Sequence, residues 1–308
     1  MESIEKKYQV GVDIGATKAN IGIIDKQGKI YVIQKIKTGN EEPSEKILND
    51  IADKIKSCMN EVDLTIDDVG FIGVGVPGTV NKEGTCVVYA PNLNWKNVEL
   101  VRILKSVFPI EIKVEQDAKA AAAGELLAGA GRGMSDIVCL TLGSGIGGGI
   151  IIDRKIFSGA LNTAGEVGHI VVHPGGSQCN CGKRGCVEAY GAGLGLQRKA
   201  LEVFGREVTS EELFDMEKQG DSNAKRIIDA GAEALGICIV NVVNTLSPQA
   251  VILSGGITHQ QSYVNRIKEF VYENAYGLAI DKEKFIFCTA ELGADAPMVG
   301  AGLLNLLK

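Results

Sequence analysis

Two stretches of this chain run in step. Val10-Gly11-Val12-Asp13-Ile14-Gly15-Ala16-Thr17-Lys18-Ala19-Asn20-Ile21-Gly22-Ile23-Ile24-Asp25 and Val138-Cys139-Leu140-Thr141-Leu142-Gly143-Ser144-Gly145-Ile146-Gly147-Gly148-Gly149-Ile150-Ile151-Ile152-Asp153 keep a constant offset of 128 residues. Each is an apolar run, a glycine-rich turn, a second apolar run and an aspartate. Short apolar runs bounded by glycine read as buried strands, so each stretch predicts a β-hairpin. Chance likeness of two glycine-rich hairpins is the plainer alternative. Two alike hairpins heading two halves instead predict a duplicated α/β fold whose turns face one cleft. The 39 glycines fit the duplication, because they sit at strand ends and turns rather than in linkers.

The remaining pattern also alternates between strand and helix. Lys29–Lys37 reads as a strand after the Gln27-Gly28 turn. Glu45–Asn60 places Ile47, Leu48, Ile51, Ile55 and Met59 at helical spacing behind Pro43-Ser44. Val69–Val76 and Ile110–Val114 read as strands, and Asp117–Ala130 as an alanine-rich helix. Beyond the second hairpin the chain is mostly helical. Ser222–Leu246 is long and periodic, Ala250–Ser254 is a strand ending in Gly255-Gly256, Gln261–Tyr276 a helix, Phe285–Thr289 a strand and Pro297–Leu307 a closing helix.

Bulk properties exclude several classes. A net charge of −6 gives no global attraction for nucleic acid or anionic membrane. Met1–Tyr8 is polar and lacks the apolar core of a signal peptide. The richest apolar stretch, Ile137–Ile152, is broken by Thr141, Ser144 and glycines, well short of the roughly 18 residues of a membrane span. The expectation is a cytoplasmic protein. Eight cysteines are too dilute for a disulfide framework. Cys58, Cys86, Cys139, Cys238 and Cys288 read as small buried hydrophobes.

The chemistry gathers in the turns. A tight glycine turn leaves backbone N–H groups facing outward, where they suit phosphate oxygens. Thr17 and Lys18 add a hydroxyl and a cation, and Asp13 can hold Mg²⁺ through water. The second turn, with Gly143 and Gly145, repeats the donor array. Neither turn is a P-loop or a Rossmann turn, because strand rather than helix follows. Gly255-Gly256 is either a plain strand-to-helix turn or a close approach to a purine or ribose. Asp117 is either a helix N-cap or a general base taking a proton from an attacking hydroxyl.

Cys179, Cys181, Gly182, Gly185 and Cys186 spell C-x-C-G-x-x-G-C, with His169 ten residues before the first cysteine. Three thiolates and one imidazole make a closed tetrahedral zinc site, structural because no position stays open for water. Glu166 lies three residues before His169, and Glu188 two residues after Cys186. A metal that ties His169 to the loop would fix both carboxylates nearby, an array suited to a polyhydroxyl ligand.

These residues together resemble the ROK family, named for repressors, open reading frames and kinases, over essentially the whole chain. The resemblance is carried by Asp13–Lys18, Gly75–Gly78, Ala90–Leu93, Glu115–Asp117, Leu142–Gly149, Gly165–His169, Cys179–Glu188 and Leu253–Ile257. It implies an actin-like ATPase (ribonuclease-H-like) fold of two duplicated domains around a central cleft. The small domain would take 1–118 and 297–308, and the large one 119–296. It further implies transfer of the ATP γ-phosphate, with Mg²⁺ and a structural Zn²⁺, to a hexose hydroxyl. Glucose leads, and N-acetylmannosamine, N-acetylglucosamine and mannose follow. Asp117 becomes the base. Glu166, His169, Glu188, Gln116, Asn92 and Gly78 become sugar contacts. Asp13, Gly15, Thr17, Lys18, Gly143, Gly145, Gly255 and Gly256 become nucleotide contacts. Family glucokinases usually carry Asn where this chain has Gln116, which puts a preference for plain glucose in question. A homodimer or homotetramer is implied. A ROK-type repressor is disfavoured, since no helix-turn-helix segment precedes Asp13, and a non-catalytic sugar sensor is disfavoured by the intact Asp117 and both turns.

Overall fold

A computed structural model describes residues 6–281 and 284–307; the first five residues of the polar N-terminal segment lie outside the described residues. In chain order the elements are β1 (Tyr8–Ile14), β2 (Lys18–Asp25), β3 (Ile30–Lys37), α1 (Ser44–Glu61), β4 (Val69–Val76), β5 (Thr79–Val80), β6 (Val87–Ala90), β7 (Trp95–Val98), α2 (Leu100–Lys105), β8 (Glu111–Gln116) and α3 (Asp117–Ala128). They continue with β9 (Ile137–Leu142), β10 (Ile146–Ile152), β11 (Lys155–Ile156), α4 (Glu188–Gly191), α5 (Gly193–Phe204), α6 (Ser210–Lys218), α7 (Ser222–Leu246), β12 (Ala250–Ser254), α8 (Gln261–Asn274), β13 (Ile286–Thr289) and α9 (Ala296–Leu303).

The chain forms two compact units. The first takes the described residues through Cys139, then Gly149–Gly165 and the described residues from Ala290 onward. The second takes Leu140–Gly148 and Glu166–Thr289.

The first unit is built on a five-stranded sheet in the order β3-β2-β1-β4-β8. β1 and β2 form the expected hairpin, antiparallel from Tyr8↔Asp25 to Ile14↔Ala19, and β4 and β8 add parallel to β1. Val10, Val12, Ile14, Ile72, Val74 and Val76 are buried, with Ile47, Leu48, Ile51 and Ile55 of α1 in the same core. A second core contains Ile24 together with Met298, Val299 and Leu303 of α9. Helix α9 lies on the sheet at backbone contact. A Cβ on Gly73 would stand 1.7 Å from the Ala301 carbonyl oxygen, and one on Gly300 would stand 1.7 Å from that of Ala120 in α3. Only glycine lets these backbones approach so closely. A separate three-stranded antiparallel sheet, β5-β6-β7, contributes buried Val80, Val87 and Trp95 to the first core.

The second sheet has the order β11-β10-β9-β12-β13, and the division between units falls within β9 and β10. In the second unit α7 is the central helix. By length and composition alone it is the one helix among the described residues long and apolar enough to cross a bilayer. Helix α7 buries Ile227, Ile228, Leu235, Ile239 and Val243, as a core helix does.

Other differences are local. Helix α3 stops at Ala128 rather than Ala130, because the buried Glu125 carboxylate accepts the Ala130 N–H at 2.9 Å, along with those of Glu291 and Leu292 at 3.0 and 2.9 Å. The closing helix gives way to a 3₁₀ turn at Leu304–Leu306. Four of the five scattered cysteines are buried, and Cys288 is half-buried.

Substituting Gly300 with valine should therefore lower unfolding free energy by about 2–3 kcal/mol or more, since backbone atoms on α3 cannot step aside. Gly39→Ala, with nothing within 4 Å of its added carbon, serves as the neutral control in the same denaturant titration.

Candidate functional site

The first glycine turn is held from two sides. Gly15 N–H donates to the Lys18 carbonyl at 2.8 Å, closing the hairpin, while Ala16, Thr17 and Lys18 stay exposed. From the end of β3, Thr38 donates its hydroxyl to the Gly15 carbonyl at 2.7 Å and its N–H to the Thr17 carbonyl at 3.0 Å. Nothing in the sequence singled out Thr38, because its partners lie on another strand.

Asp13 ends β1 just before this turn. Burial pushes its carboxyl up to about 6, with the Asn20 amide (Nδ2 to Oδ2, 3.3 Å) and the Lys18 ammonium pulling the other way. In the parallel register Asp13 faces Gly75 of β4, and Gly75 faces Glu115 of β8. Asp117 follows two residues later, half-buried, as the first residue of α3. The first turn and Asp117 thus lie at the carboxyl ends of parallel strands, where open α/β sheets bind ligands. The Asp13 and Glu115 backbones are two strand spacings apart, about 10 Å. Gln116 takes the N-cap position of α3, so Asp117 is not the cap; its Oδ1 accepts the Ala118 N–H at 2.7 Å.

Gln116 pairs in register with Val76, which leads through Pro77 to Gly78. Gly78 has φ +106°, and a Cβ there would stand 2.2 Å from the Tyr89 carbonyl oxygen. Asn92 is exposed in the 3₁₀ turn Pro91–Leu93 after β6. A buried ammonium adjoins this region. Lys119, 1% exposed, donates to the Asn162 backbone oxygen at 2.8 Å and to Asn162 Oδ1 at 3.1 Å, and stands 3.8 Å from Glu115. Asn162 Nδ2 donates in turn to the Val80 carbonyl at 2.9 Å. Burial pushes the Glu115 carboxyl up, and the Lys119 charge offsets part of that.

In the second unit, the four metal-ligand candidates come together. One donor atom from each of His169, Cys179, Cys181 and Cys186 lies within 4.8 Å of the others. His169 Nδ1 is 3.7 Å from Cys179 Sγ, and Cys181 Sγ is 3.7 Å from Cys186 Sγ. Zinc bonds in a tetrahedron set sulfur pairs about 3.8 Å apart and sulfur–nitrogen pairs about 3.6 Å apart, so the donor set fits that ion. The loop is wound by its own backbone: Gly182 N–H donates to the Cys179 carbonyl at 3.0 Å and Cys179 N–H to the Lys183 carbonyl at 2.9 Å. Gly185 has φ +86°, and a Cβ there would strike the His173 carbonyl oxygen at 2.0 Å.

Glu166 precedes the 3₁₀ turn Val167–His169, with its Oε2 3.9 Å from His169 Nε2. The histidine therefore offers Nδ1 to the thiols and Nε2 on the Glu166 side. Glu188 opens α4, and its Oε2 accepts the Ile146 N–H at 3.0 Å just past the second glycine turn. Gly143 is exposed, with no atom within 4 Å of an added Cβ, and the same space surrounds Gly256. Gly255, at φ +98°, passes 2.3 Å (measured from an added Cβ) from the Leu142 carbonyl oxygen, so Gly255-Gly256 lies beside the second turn.

The ROK family's sequence profile matches residues 9–307. The chain belongs to the ROK family. The glucokinase of Halalkalibacterium halodurans is 32% identical, over 97% of this chain and 94% of its own length. Among solved structures, the ROK hexokinase of Thermus thermophilus superposes with a TM-score of 0.86 at 30% identity, covering 96% of this chain and 97% of that one. A ROK family glucokinase from Streptomyces griseus, solved with glucose and AMPPNP, gives 0.76 at 30% identity, covering 97% and 99%. Proteins named as xylose repressors match as well. This ROK chain has the actin-like ATPase fold of the sugar kinases, and its glucokinase and hexokinase relatives support a hexose kinase.

Asp13 makes apo stability depend on pH. Its folded pKa, about 6, lies above the ordinary 3.8. The stability it contributes is therefore present below about pH 4 and lost as pH rises through about 6. Without nucleotide or divalent cation, Asp13→Asn should abolish this loss and gain up to about 3 kcal/mol over wild type at pH 8. Melting curves of both proteins at pH 5 and pH 8 measure it.

Proposed function

We propose that this chain is an ATP-dependent hexose kinase acting on glucose to give glucose 6-phosphate, a cytoplasmic enzyme working as a homodimer or homotetramer. The observation that carries the reading is the shared end of one sheet: the first glycine turn follows β1 and Asp117 follows β8, parallel strands with β4 between them. A carboxylate beside phosphate-binding N–H groups suits phosphoryl transfer to a hydroxyl.

In the reaction the sugar oxygen forms a bond to the γ-phosphorus as the bond to the β-bridging oxygen breaks, and ADP leaves. Asp117 takes the hydroxyl proton and orients the attacking oxygen. Gly15, Thr17 and Lys18 in the first unit, and Gly143, Gly145, Gly255 and Gly256 in the second, contact the nucleotide. Their backbone donors stabilise charge on the transferred group. Glu166 and Glu188 accept from sugar hydroxyls and His169 donates its Nε2–H to a sugar oxygen, with Gln116, Asn92 and Gly78 at the sugar's edge. Asp13, costly to ionise where it stands, would hold Mg²⁺ through water, and that ion neutralises phosphate charge. His169, Cys179, Cys181 and Cys186 would hold Zn²⁺, whose contribution is structural.

One residue keeps a second substrate class open. Gln116 is one methylene longer than the Asn usual in family glucokinases and shifts a sugar contact, which counts against plain glucose and leaves N-acetylmannosamine, N-acetylglucosamine or another hexose as the alternative acceptor.

A coupled assay of ADP release over a panel of hexoses and N-acetylhexosamines tests the reading, with glucose expected to give the highest kcat/KM. Asp117→Asn should cut kcat by about 10²–10⁴-fold while sugar binding stays measurable. Near-normal turnover in that variant would remove Asp117 from the role of base.

The metal has its own test. Purified protein should contain about one zinc per chain. Chelation or Cys181→Ser should lower the unfolding free energy by several kcal/mol, because a structural site contributes folding energy. A chain that kept its melting temperature and sugar affinity without metal would rule out the tether.

A further inference from the structure

The two oxygens of Glu188 serve different neighbours. Oε1 lies 3.5 Å from Cys179 Sγ, on the metal loop, and Oε2 accepts the Ile146 N–H at 3.0 Å. Ile146 is the first residue of β10, directly behind the second glycine turn. The turn lies against the carboxylate: a Cβ on Gly145 would stand 2.5 Å from the same Oε2. The other supports of the turn come from the same stretch of chain. Gly193 N–H donates to the Gly143 carbonyl at 2.9 Å and Leu194 N–H to the Ser144 carbonyl at 3.1 Å, both from the start of α5. Ser210 Oγ, in α6, donates to the Gly193 carbonyl at 3.3 Å and steadies that start. The segment from Cys186 through α4 into α5 therefore grips the turn at Gly143, Ser144 and Ile146.

We propose that Glu188 is a positioning residue for the second glycine turn, so that the metal loop and this nucleotide turn are one mechanical piece. This deepens the kinase reading and rests on it: a carboxylate assigned to the sugar also sets the backbone donors assigned to phosphate. The amide of Ile146 is fixed by Oε2, which holds the two bonds at Gly143 and Ser144 in register with it. A sugar bound at Glu188 stiffens the carboxylate and with it the turn. By linkage, sugar and nucleotide then tighten each other's binding by one common factor.

The test separates the two roles by measuring nucleotide without sugar. Binding of Mg-AMPPNP to the full chain is followed by calorimetry for wild type, Glu188→Gln, Glu188→Asp and Glu188→Ala. The glutamine keeps an oxygen acceptor for Ile146 N–H and removes the charge. The alanine removes both. A residue that only touches sugar predicts equal nucleotide affinity in all four. The positioning role predicts that Glu188→Ala weakens AMPPNP about tenfold, although removing a negative charge should by itself favour an anionic ligand. Glu188→Gln should stay near wild type for AMPPNP while losing sugar affinity. Where the alanine variant does not fold, Glu188→Asp, one methylene short of Ile146, should show the same loss. Amide exchange at Ile146 should speed up in the weakened variants relative to the amides of β12. A wild type that binds AMPPNP beside a folded Glu188→Ala or Glu188→Asp variant that binds it equally overturns the positioning role alone. A wild type that does not bind AMPPNP overturns the kinase reading beneath it.

Discussion

Helix α9 touches its neighbours with backbone as well as with side chains. At Gly73 on β4 and at Gly300 against α3, no Cβ fits between the chains. Such contacts leave no slack, because a carbonyl cannot rotate away as a side chain can. They fix the face of β1–β4 against α9, and α9 against the length of α3. The start of α3 carries Asp117, and the end of β1 carries Asp13. The relative placing of these two carboxylates follows from one rigid stack of sheet and helices. Glu125 locks the other end of α3 by taking N–H groups from Ala130, Glu291 and Leu292.

The second unit solves the same problem by other means. Glu166, His169, Cys179, Cys181 and Cys186 sit on a stretch with almost no regular structure, and such a loop lacks the packed core that holds α3. The donor atoms of His169 and three cysteines gather there instead. Winding the loop needs left-handed backbone at Gly182 and Gly185 and direct carbonyl contact at Gly185. Glu188 then passes the loop's position on to the turn after β9.

Much of this was legible before any coordinates. The 128-residue repeat predicts both hairpins, and the three cysteines of C-x-C-G-x-x-G-C with His169 ten residues before them are the four donors that the structure gathers. What stayed hidden depends on partners far along the chain. Lys119 in an alanine-rich helix looks like a solvated charge, yet it is buried against Asn162, 43 positions away. Glu125 looks like another surface acid, but two of its partners are more than 160 residues distant. Periodicity reports which face of an element is buried, not which polar group waits there. The small β5-β6-β7 sheet escaped because its strands are two to four residues long, with Asn94 and Asn97 between and within them at positive φ. Of the two readings open for Asp117, the cap fails because Gln116 holds that position; two adjacent polar residues at a strand-to-helix junction offer the same signal.

Helix α7 has a consequence for how the chain is made. Its 25 residues match a bilayer span in length and greasiness, so a ribosome producing it presents the cell with a segment that could be mistaken for an anchor. Helices α4, α5 and α6 pack against it, and all three precede it in the chain. Translation proceeds from the N-terminus, so these covering helices leave the ribosome first. The order of synthesis thus supplies three covering helices before the segment they cover, and α8, which packs against it as well, follows.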